Sequence, residues 1–271
     1  MVKSTARLFA DDCLLYKSIK NPSDADQLQR DLDSLQNWEK TWLMSFNPEK
    51  CEVLRVTNKR SPITHDYEIH GTTLKIAETA KYLGLNIDKK LSWNHHINSI
   101  TKKANSTIAF LRRNISTCPS TIKSKCYTTI VRPILEYACV VWDPTTDKYI
   151  KQLEMVQRKA ARVVVGEYRT TSSVTRIIEK LHWPTLQQRR KQAKTTMLFK
   201  ITKGLVDVDS SRLKPTSTAN RTRGHCHRFQ IPTSKLRTHQ QSFFPSTIRL
   251  WNKLPANMVR IDNLDKFGWK S

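Results

Sequence analysis

The sequence predicts an α+β fold, and three observations predict it. Up to about residue 90, short apolar runs bounded by turn residues surround a single amphipathic helix. From Trp93 onward, apolar residues recur at helical spacing instead. Charge divides at the same place: residues 1–100 hold 14 Lys and Arg against 13 Asp and Glu, which leaves 33 against 10 for residues 101–271. With 271 residues, 38% of them hydrophobic, the chain can build a core in one or two domains, which excludes disorder throughout. A net charge of +24 and a pI near 10.0 point to a polyanionic partner, nucleic acid first and an anionic membrane surface second.

In the first part, Ala6 to Tyr16 is two apolar runs around Ala10-Asp11-Asp12, a hairpin with carboxylates at its tip. Ser23 is placed to cap a helix whose first turn carries Asp24 and Asp26, with Leu28, Leu32, Leu35, Trp38 and Trp42 as its buried stripe and its end near Leu43. Asp24, Asp26, Asp31 and Asp33 read as solvated charges on its acidic side. Phe46-Asn47-Pro48 is a turn, because Pro48 disfavours helical geometry at Asn47. A strand from Cys51 to Val56 follows, with Lys50 at its entrance. Tyr67 to Ile69 and Thr72 to Ile76 flank Gly71 as a second hairpin, and Tyr82 to Ile87 is a further strand.

The second part predicts a basic helical bundle. Ile97, Ile100, Ala104, Ile108 and Leu111 form one apolar face, with Lys102, Lys103, Arg112 and Arg113 elsewhere on that helix. Pro119 suits a helix start, Ile122, Cys126, Ile130 and Ile134 continue at i, i+4, and Pro133 should kink or end the helix. Ile150, Leu153, Val156, Ala160 and Val163 make a stripe that stops near Gly166. Pro184 to Lys203 makes another, with Leu186, Ala193, Met197 and Ile201 inward and Gly204 as its stop. Residues 208–240, rich in Ser, Thr, Arg and Pro, read as a poorly ordered linker. Phe243 to Pro255 then docks back through Phe244, Ile248, Leu250 and Trp251, or stays exposed as an interaction motif.

Two adjacent carboxylates at a tight turn repel one another, and a divalent cation is the natural neutraliser. Hard oxygen ligands with room for waters and phosphates suit Mg²⁺, and a pair of such ions can hold both the attacking and the leaving oxygen of a phosphoryl transfer. The same Asp-Asp pair is also an ordinary polar turn. The six cysteines contain no C-x-x-C pair and read as free thiols. His225-Cys226-His227 lacks a second ligand pair for a metal.

Arg7-Leu8-Phe9-Ala10-Asp11-Asp12-Cys13-Leu14-Leu15-Tyr16 resembles the catalytic hairpin of reverse transcriptases from jockey-like non-LTR retrotransposons. Asn47-Pro48-Glu49-Lys50-Cys51-Glu52-Val53-Leu54 resembles the next palm motif, and Lys81-Tyr82-Leu83-Gly84-Leu85-Asn86-Ile87-Asp88 the primer-grip strand. Val131 to Tyr137, Leu153 to Ala161 and Ser242 to Pro255 resemble the tail of such proteins. The resemblance implies a partial palm, an antiparallel sheet with a packed helix, over 1–92. It implies a thumb-like bundle over 93–206, and a partly disordered linker and tail over 207–271.

By the same resemblance Asp11 and Asp12 would be metal ligands for Mg²⁺, or Mn²⁺, and Lys50 would protonate the pyrophosphate leaving group. Tyr82, Leu83 and Gly84 would hold the primer. Independently of the resemblance, the basic helical faces, with Lys102, Lys103, Arg112 and Arg113, are expected to bind nucleic-acid backbones by counterion release, in a salt-dependent and largely sequence-independent way. Lys50 also reads as a surface lysine beside Glu49 and Glu52, and Tyr82 and Leu83 as strand core. The implied partners are an RNA template, a DNA primer and deoxynucleotides. In the family the fingers and a further metal-binding aspartate precede the hairpin, whereas only Met1 to Thr5 precede it here. The expectation is therefore a fragment inactive alone, or a nucleic-acid-binding protein derived from such an element, or one half of an activity completed by another chain. No run of about 18 apolar residues and no signal-peptide pattern occurs, so a soluble intracellular protein without membrane association is expected.

Overall fold

The computed structural model describes residues 2–169, 171–216, 225, 227–261, 264 and 267. It is α+β and divides into two compact units, residues 1–96 and 97–271.

In the first unit β1 (Thr5–Phe9) and β2 (Asp12–Tyr16) pair antiparallel, with Phe9 opposite Asp12. Ala10 and Asp11 close the hairpin, and Ala10 takes a φ of 52°, a left-handed conformation that side chains seldom adopt. Helix α1 (Pro22–Trp42) is capped by Asn21, not Ser23. The Asn21 side chain accepts from the Asp24 amide at 2.9 Å, and Asp24 accepts in return from the Asn21 amide at 3.3 Å. Pro22 then occupies the first turn, where its missing N–H costs nothing. Leu28 and Leu32 pack on a small core of Tyr67, Ile69 and Leu74, joined by Cys51 and Val53. The stripe ends a turn early: Trp38 stacks on Phe46, while Trp42 is 64% exposed.

The remaining strands are β3 (Glu52–Leu54), β4 (Glu68–Ile69), β5 (Thr72–Thr73), β6 (Lys75–Ala77), β7 (Thr79–Tyr82) and β8 (Leu85–Asp88). The single antiparallel sheet expected from the sequence is not what forms. Pairing is in four two-stranded ladders, and β3–β6 is parallel. Strands of two to four residues, broken by turns at His70-Gly71 and Leu83-Gly84, mostly pair with their nearest neighbour. The strand predicted over Tyr82 to Ile87 is instead the hairpin β7–β8, because Leu83 (φ 44°) and Gly84 (φ 78°) both turn left-handed, as a two-residue hairpin loop requires.

The second unit is helical. It holds α2 (Asn94–Asn114, continuing from the first unit), α3 (Ser120–Cys126), α4 (Arg132–Glu136), α5 (Cys139–Trp142), α6 (Asp147–Val165), α7 (Val174–Lys180), α8 (Leu186–Thr202), α9 (Arg237–Gln241), α10 (Phe243–Trp251) and α11 (Ala256–Val259). Between α3 and α4, residues Tyr127–Val131 form a π turn. That turn absorbs Pro133, which cannot donate to a regular helix. It also shifts the buried face from Ile122, Cys126, Ile130 and Ile134 to Tyr127, Val131 and Leu135, leaving Ile122 and Ile130 exposed. Tyr127 decides the register, stacking on Trp183 at 4.2 Å and donating its hydroxyl to Gln157 at 2.9 Å.

Gly166 stops α6 in the left-handed region, and the buried face of that helix runs through Leu153, Val156, Ala160 and Val164, not Val163. Leu198 and Phe199 of α8 meet Ile248, Trp251, Leu254, Val259 and Phe267 in one core, so the C-terminal segment docks. Within the linker, Pro215 and Phe229 form an antiparallel bridge, whereas residues 217–224 and Cys226 lie outside the described residues. His225 is buried with Nε2 at 3.0 Å from the Trp251 carbonyl, a packing role. Among the described residues no helix is long and apolar enough to cross a membrane.

Candidate catalytic hairpin and basic helical face

Asp11 sits in the two-residue turn and Asp12 at the first position of β2, both exposed. Leu8 and Phe9 on β1 are exposed as well, at 63% and 66%. One residue along β2, the Cys13 thiol is pushed up by burial and by the nearby Cys51. Burial and the Glu39 carboxylate raise Cys51 in turn. The 3-10 turn Pro48–Lys50 immediately precedes Cys51, and Asn47 caps it by accepting from the Glu49 amide at 2.9 Å. Lys50 ends this turn and is exposed. Cys51 thus stands near β2, and the turn that carries Lys50 directly precedes Cys51 in the chain.

No group of three or more His, Cys, Asp or Glu is placed to hold a metal among the described residues. Asp11 and Asp12 are thus a donor set of two carboxylates, which fits an open hydrated Mg²⁺ that completes its shell with water and phosphate and does not fit a closed cage. The acidic residues of α1 do not add to it. Asp31, read from the sequence as solvated, is buried and accepts from the Lys3 amide at 2.9 Å, the Ser4 amide at 2.7 Å and Gln27 Nε2 at 3.1 Å. Asp24 belongs to the helix cap, and Asp33 accepts from Gln29 Nε2.

Tyr82 closes β7 and Leu83-Gly84 form the turn, with Tyr82 and Leu83 half-buried and Gly84 exposed. Beyond the turn, the Asn86 amide donates to Nδ1 of the buried His96 at 3.3 Å. Burial first, then His95, holds the His96 pKa down, so its ring stays neutral and anchors β8 to the start of α2.

On α2, Lys102, Lys103, Arg112 and Arg113 are all exposed. Lys102 and Arg113 stand eleven residues apart on nearly one line of the helix, about 16 Å along its axis. Lys103 lies to one side of that line and Arg112 to the other, at the edge of the buried face through Ile97, Ala104 and Ile108.

Part of the basic excess has a different use, which the sequence reading missed. Arg190 and Lys194 on α8 are buried and both donate to Asp143, through Nε and Nζ at 2.8 Å each. Arg189 donates through Nε and Nη2 to Glu136, which raises the Arg189 pKa. Ala193 and Met197, expected inward, are only half-buried. Basic residues are so seldom buried that their i, i+4 spacing reads as a solvent face; the one signal was an acidic partner, Asp143, far along the chain.

No protein-family model and no solved structure matches the chain. Similarity to curated proteins is clear. The chain is 29% identical over 168 residues to a probable RNA-directed DNA polymerase from transposon X-element of Drosophila melanogaster, covering 60% of this chain and 18% of the relative. It is 30% identical over 170 residues to a probable RNA-directed DNA polymerase from transposon BS of the same fly, with the same shares. To the RNA-directed DNA polymerase from mobile element jockey of that fly it is 28% identical over 164 residues, 58% of this chain and 18% of the relative. The resemblance drawn from the sequence blocks therefore holds: the chain is related to RNA-directed DNA polymerases of Drosophila non-LTR retrotransposons. It spans about a fifth of the length of these relatives.

Proposed function

We propose that this chain carries the catalytic hairpin, the end of the palm and the thumb of a mobile-element RNA-directed DNA polymerase. On this reading its first unit contributes chemistry and its second holds the primer–template. The observation that carries it is similarity, near 30% over about 60% of the chain, to polymerases of transposons, with Asp11-Asp12 at the tip of a two-stranded hairpin in the block that resembles theirs.

Asp11 and Asp12 would hold Mg²⁺, or Mn²⁺, between them. Bound there, the ion would supply charge stabilisation to the attacking 3′-oxygen and the leaving phosphate. Lys50, at the end of the turn before β3, would hold a proton for the pyrophosphate oxygen as it leaves. Gly84 presents bare backbone at the β7–β8 turn, where a primer strand can approach closely, and Tyr82 and Leu83 flank it. Lys102, Lys103, Arg112 and Arg113 neutralise phosphates on the second unit, whose 33 basic residues face 10 acidic ones. Two carboxylates are a partial donor set, so the proposal is that the chain alone binds but does not extend a primer.

Primer extension on an RNA template with Mg²⁺, run beside an Asp11→Ala, Asp12→Ala control, tests this. Salt-sensitive binding without extension is expected. Extension that vanishes in the control would make the chain a minimal polymerase and remove the claim of inactivity. Failure to bind primer–template at low salt would sink the whole reading. The charge asymmetry favours one further reading, a nucleic-acid-binding protein with no catalytic part. It predicts binding indifferent to Mg²⁺ and to both aspartate substitutions.

A further inference from the structure

The second unit has a cleft where the end of α2, the start of α3 and the end of α6 meet. Its volume is about 180 Å³. Arg112, Ser116, Lys123 and Tyr168 line it over a floor of Ile115 and Val163. Arg112 comes from the edge of the buried face of α2, not from the line shared by Lys102 and Arg113. The cleft thus separates one of the four exposed α2 cations from the others. A narrower apolar crevice lined by Ile108, Leu111 and Val164 adjoins it and shares Ile115, Lys123 and Val163.

Tyr168 is 54% exposed, yet its loop is fixed on both sides. Gly166, at φ 71°, ends α6; a residue with a side chain would be strained in that conformation. Arg162 Nη1 donates to the Arg169 carbonyl at 3.0 Å, and Glu167 accepts from the Arg169 amide at 3.0 Å. That amide bond first, with Ser172, holds the Glu167 carboxyl below its ordinary range. Its charge is therefore engaged in its own loop, beside a cleft whose lining, among the described residues, carries two cations and no acid.

A positive rim, a hydroxyl, an exposed aromatic ring and an apolar floor together suit one chemical class. Phosphate pairs with Arg and Lys, and an unpaired base stacks on tyrosine. Magnitude narrows the class: pockets that enclose a whole small molecule are roughly 300 Å³ or more. A cleft of about 180 Å³ is too small to enclose a free nucleotide triphosphate and suits part of one unit of a longer strand that continues outside it. A duplex has no unstacked base to offer the ring. We propose that this cleft binds one unpaired nucleotide of a single-stranded nucleic acid, its phosphate between Arg112 and Lys123 and its base on Tyr168. This rests on the reading that the second unit binds nucleic acid, and adds to it a preference for single strands.

The test uses the full chain and two labelled oligonucleotides, a single-stranded RNA and the single-stranded DNA of the same sequence, each with its blunt duplex as control. Tyr168→Ala should weaken binding of both single strands by about tenfold and leave duplex binding unchanged, while Tyr168→Phe binds as the parent does. Arg112→Ala with Lys123→Ala should weaken single-strand binding by at least that factor and flatten its salt dependence. Circular dichroism of each variant identifies any that fails to fold, and Tyr168→Phe keeps the comparison with a ring in place. Salt-sensitive binding that all three variants leave unchanged would overturn the cleft and spare the function proposed above. Equal weakening of duplex and single strand by Tyr168→Ala would overturn the single-strand preference. Binding to no oligonucleotide, with capture by anionic lipid vesicles instead, would overturn both readings.

Discussion

Asp31 shows what one carboxylate can contribute when it is placed against backbone donors. Burial alone would push its pKa up, but hydrogen bonds from Ser4, the Lys3 amide and Gln27 outweigh that and hold it below the ordinary aspartate value. The folded first unit therefore favours the ionised form. The stability this gives is complete above the ordinary value and is lost as pH falls through the lower folded value. Asp31→Asn keeps the shape but exchanges an acceptor oxygen for a donor facing two amides. It should cost about 1–3 kcal/mol at neutral pH in urea denaturation. The gap between parent and variant should narrow in strong acid, where the parent's own carboxyl is protonated. A gap that stays constant from neutral pH to strong acid would mean that the amide contacts stabilise nothing through charge. From the sequence, Asp31 was indistinguishable from Asp33 two residues on, because burial here depends on the segment around Ser4 lying across α1.

At the scale of elements, what was legible is what neighbours in sequence decide. The β1–β2 hairpin follows from two apolar runs around Asp11-Asp12, the end of α1 near Leu43 from its stripe, and the stop of α6 from Gly166. What was not legible depends on partners far along the chain. The choice between two i, i+4 registers in α3 and its π turn is made by Trp183 and Gln157, and the face of α8 is set by Asp143 after α5. Even a short strand was misjudged where backbone conformation decides, at Leu83-Gly84. The candidate site divides in the same way: Asp11-Asp12 stood out as a local pair, whereas Tyr168 and Lys123 become part of one cleft only when α2, α3 and α6 assemble. Asp143 makes the sharpest element-scale prediction. It is the shared acceptor of Arg190 and Lys194, both buried, so Asp143→Ala leaves two cations without their anion inside α8's packing. The second unit should lose about 3 kcal/mol or more in chemical denaturation. A loss below about 1 kcal/mol would show that water reaches these cations in the folded unit.

For the whole molecule, the useful quantity is not net charge but the charge left after internal pairing. Of the 33 basic residues beyond residue 100, Arg132, Arg189, Arg190 and Lys194 lie within reach of Glu136 or Asp143 and contribute little to an outside anion. Lys102, Lys103, Arg112 and Arg113 are exposed along some 16 Å of α2, a length over which a strand presents several phosphates. Each phosphate neutralised on a single strand contributes roughly −0.7 to the slope of log affinity against log salt. Replacing these four residues by Ala should therefore flatten the slope by about 3 and weaken binding most at low salt. Replacing Lys191, Lys200 and Lys203, which lie on or just beyond α8, should flatten it less if α2 is the principal contact. Both sets remove cations from one helical unit, so a difference between them separates a localised strand path from diffuse attraction to a basic surface. Equal flattening per residue removed would favour the diffuse case and count against α2 as the nucleic-acid face.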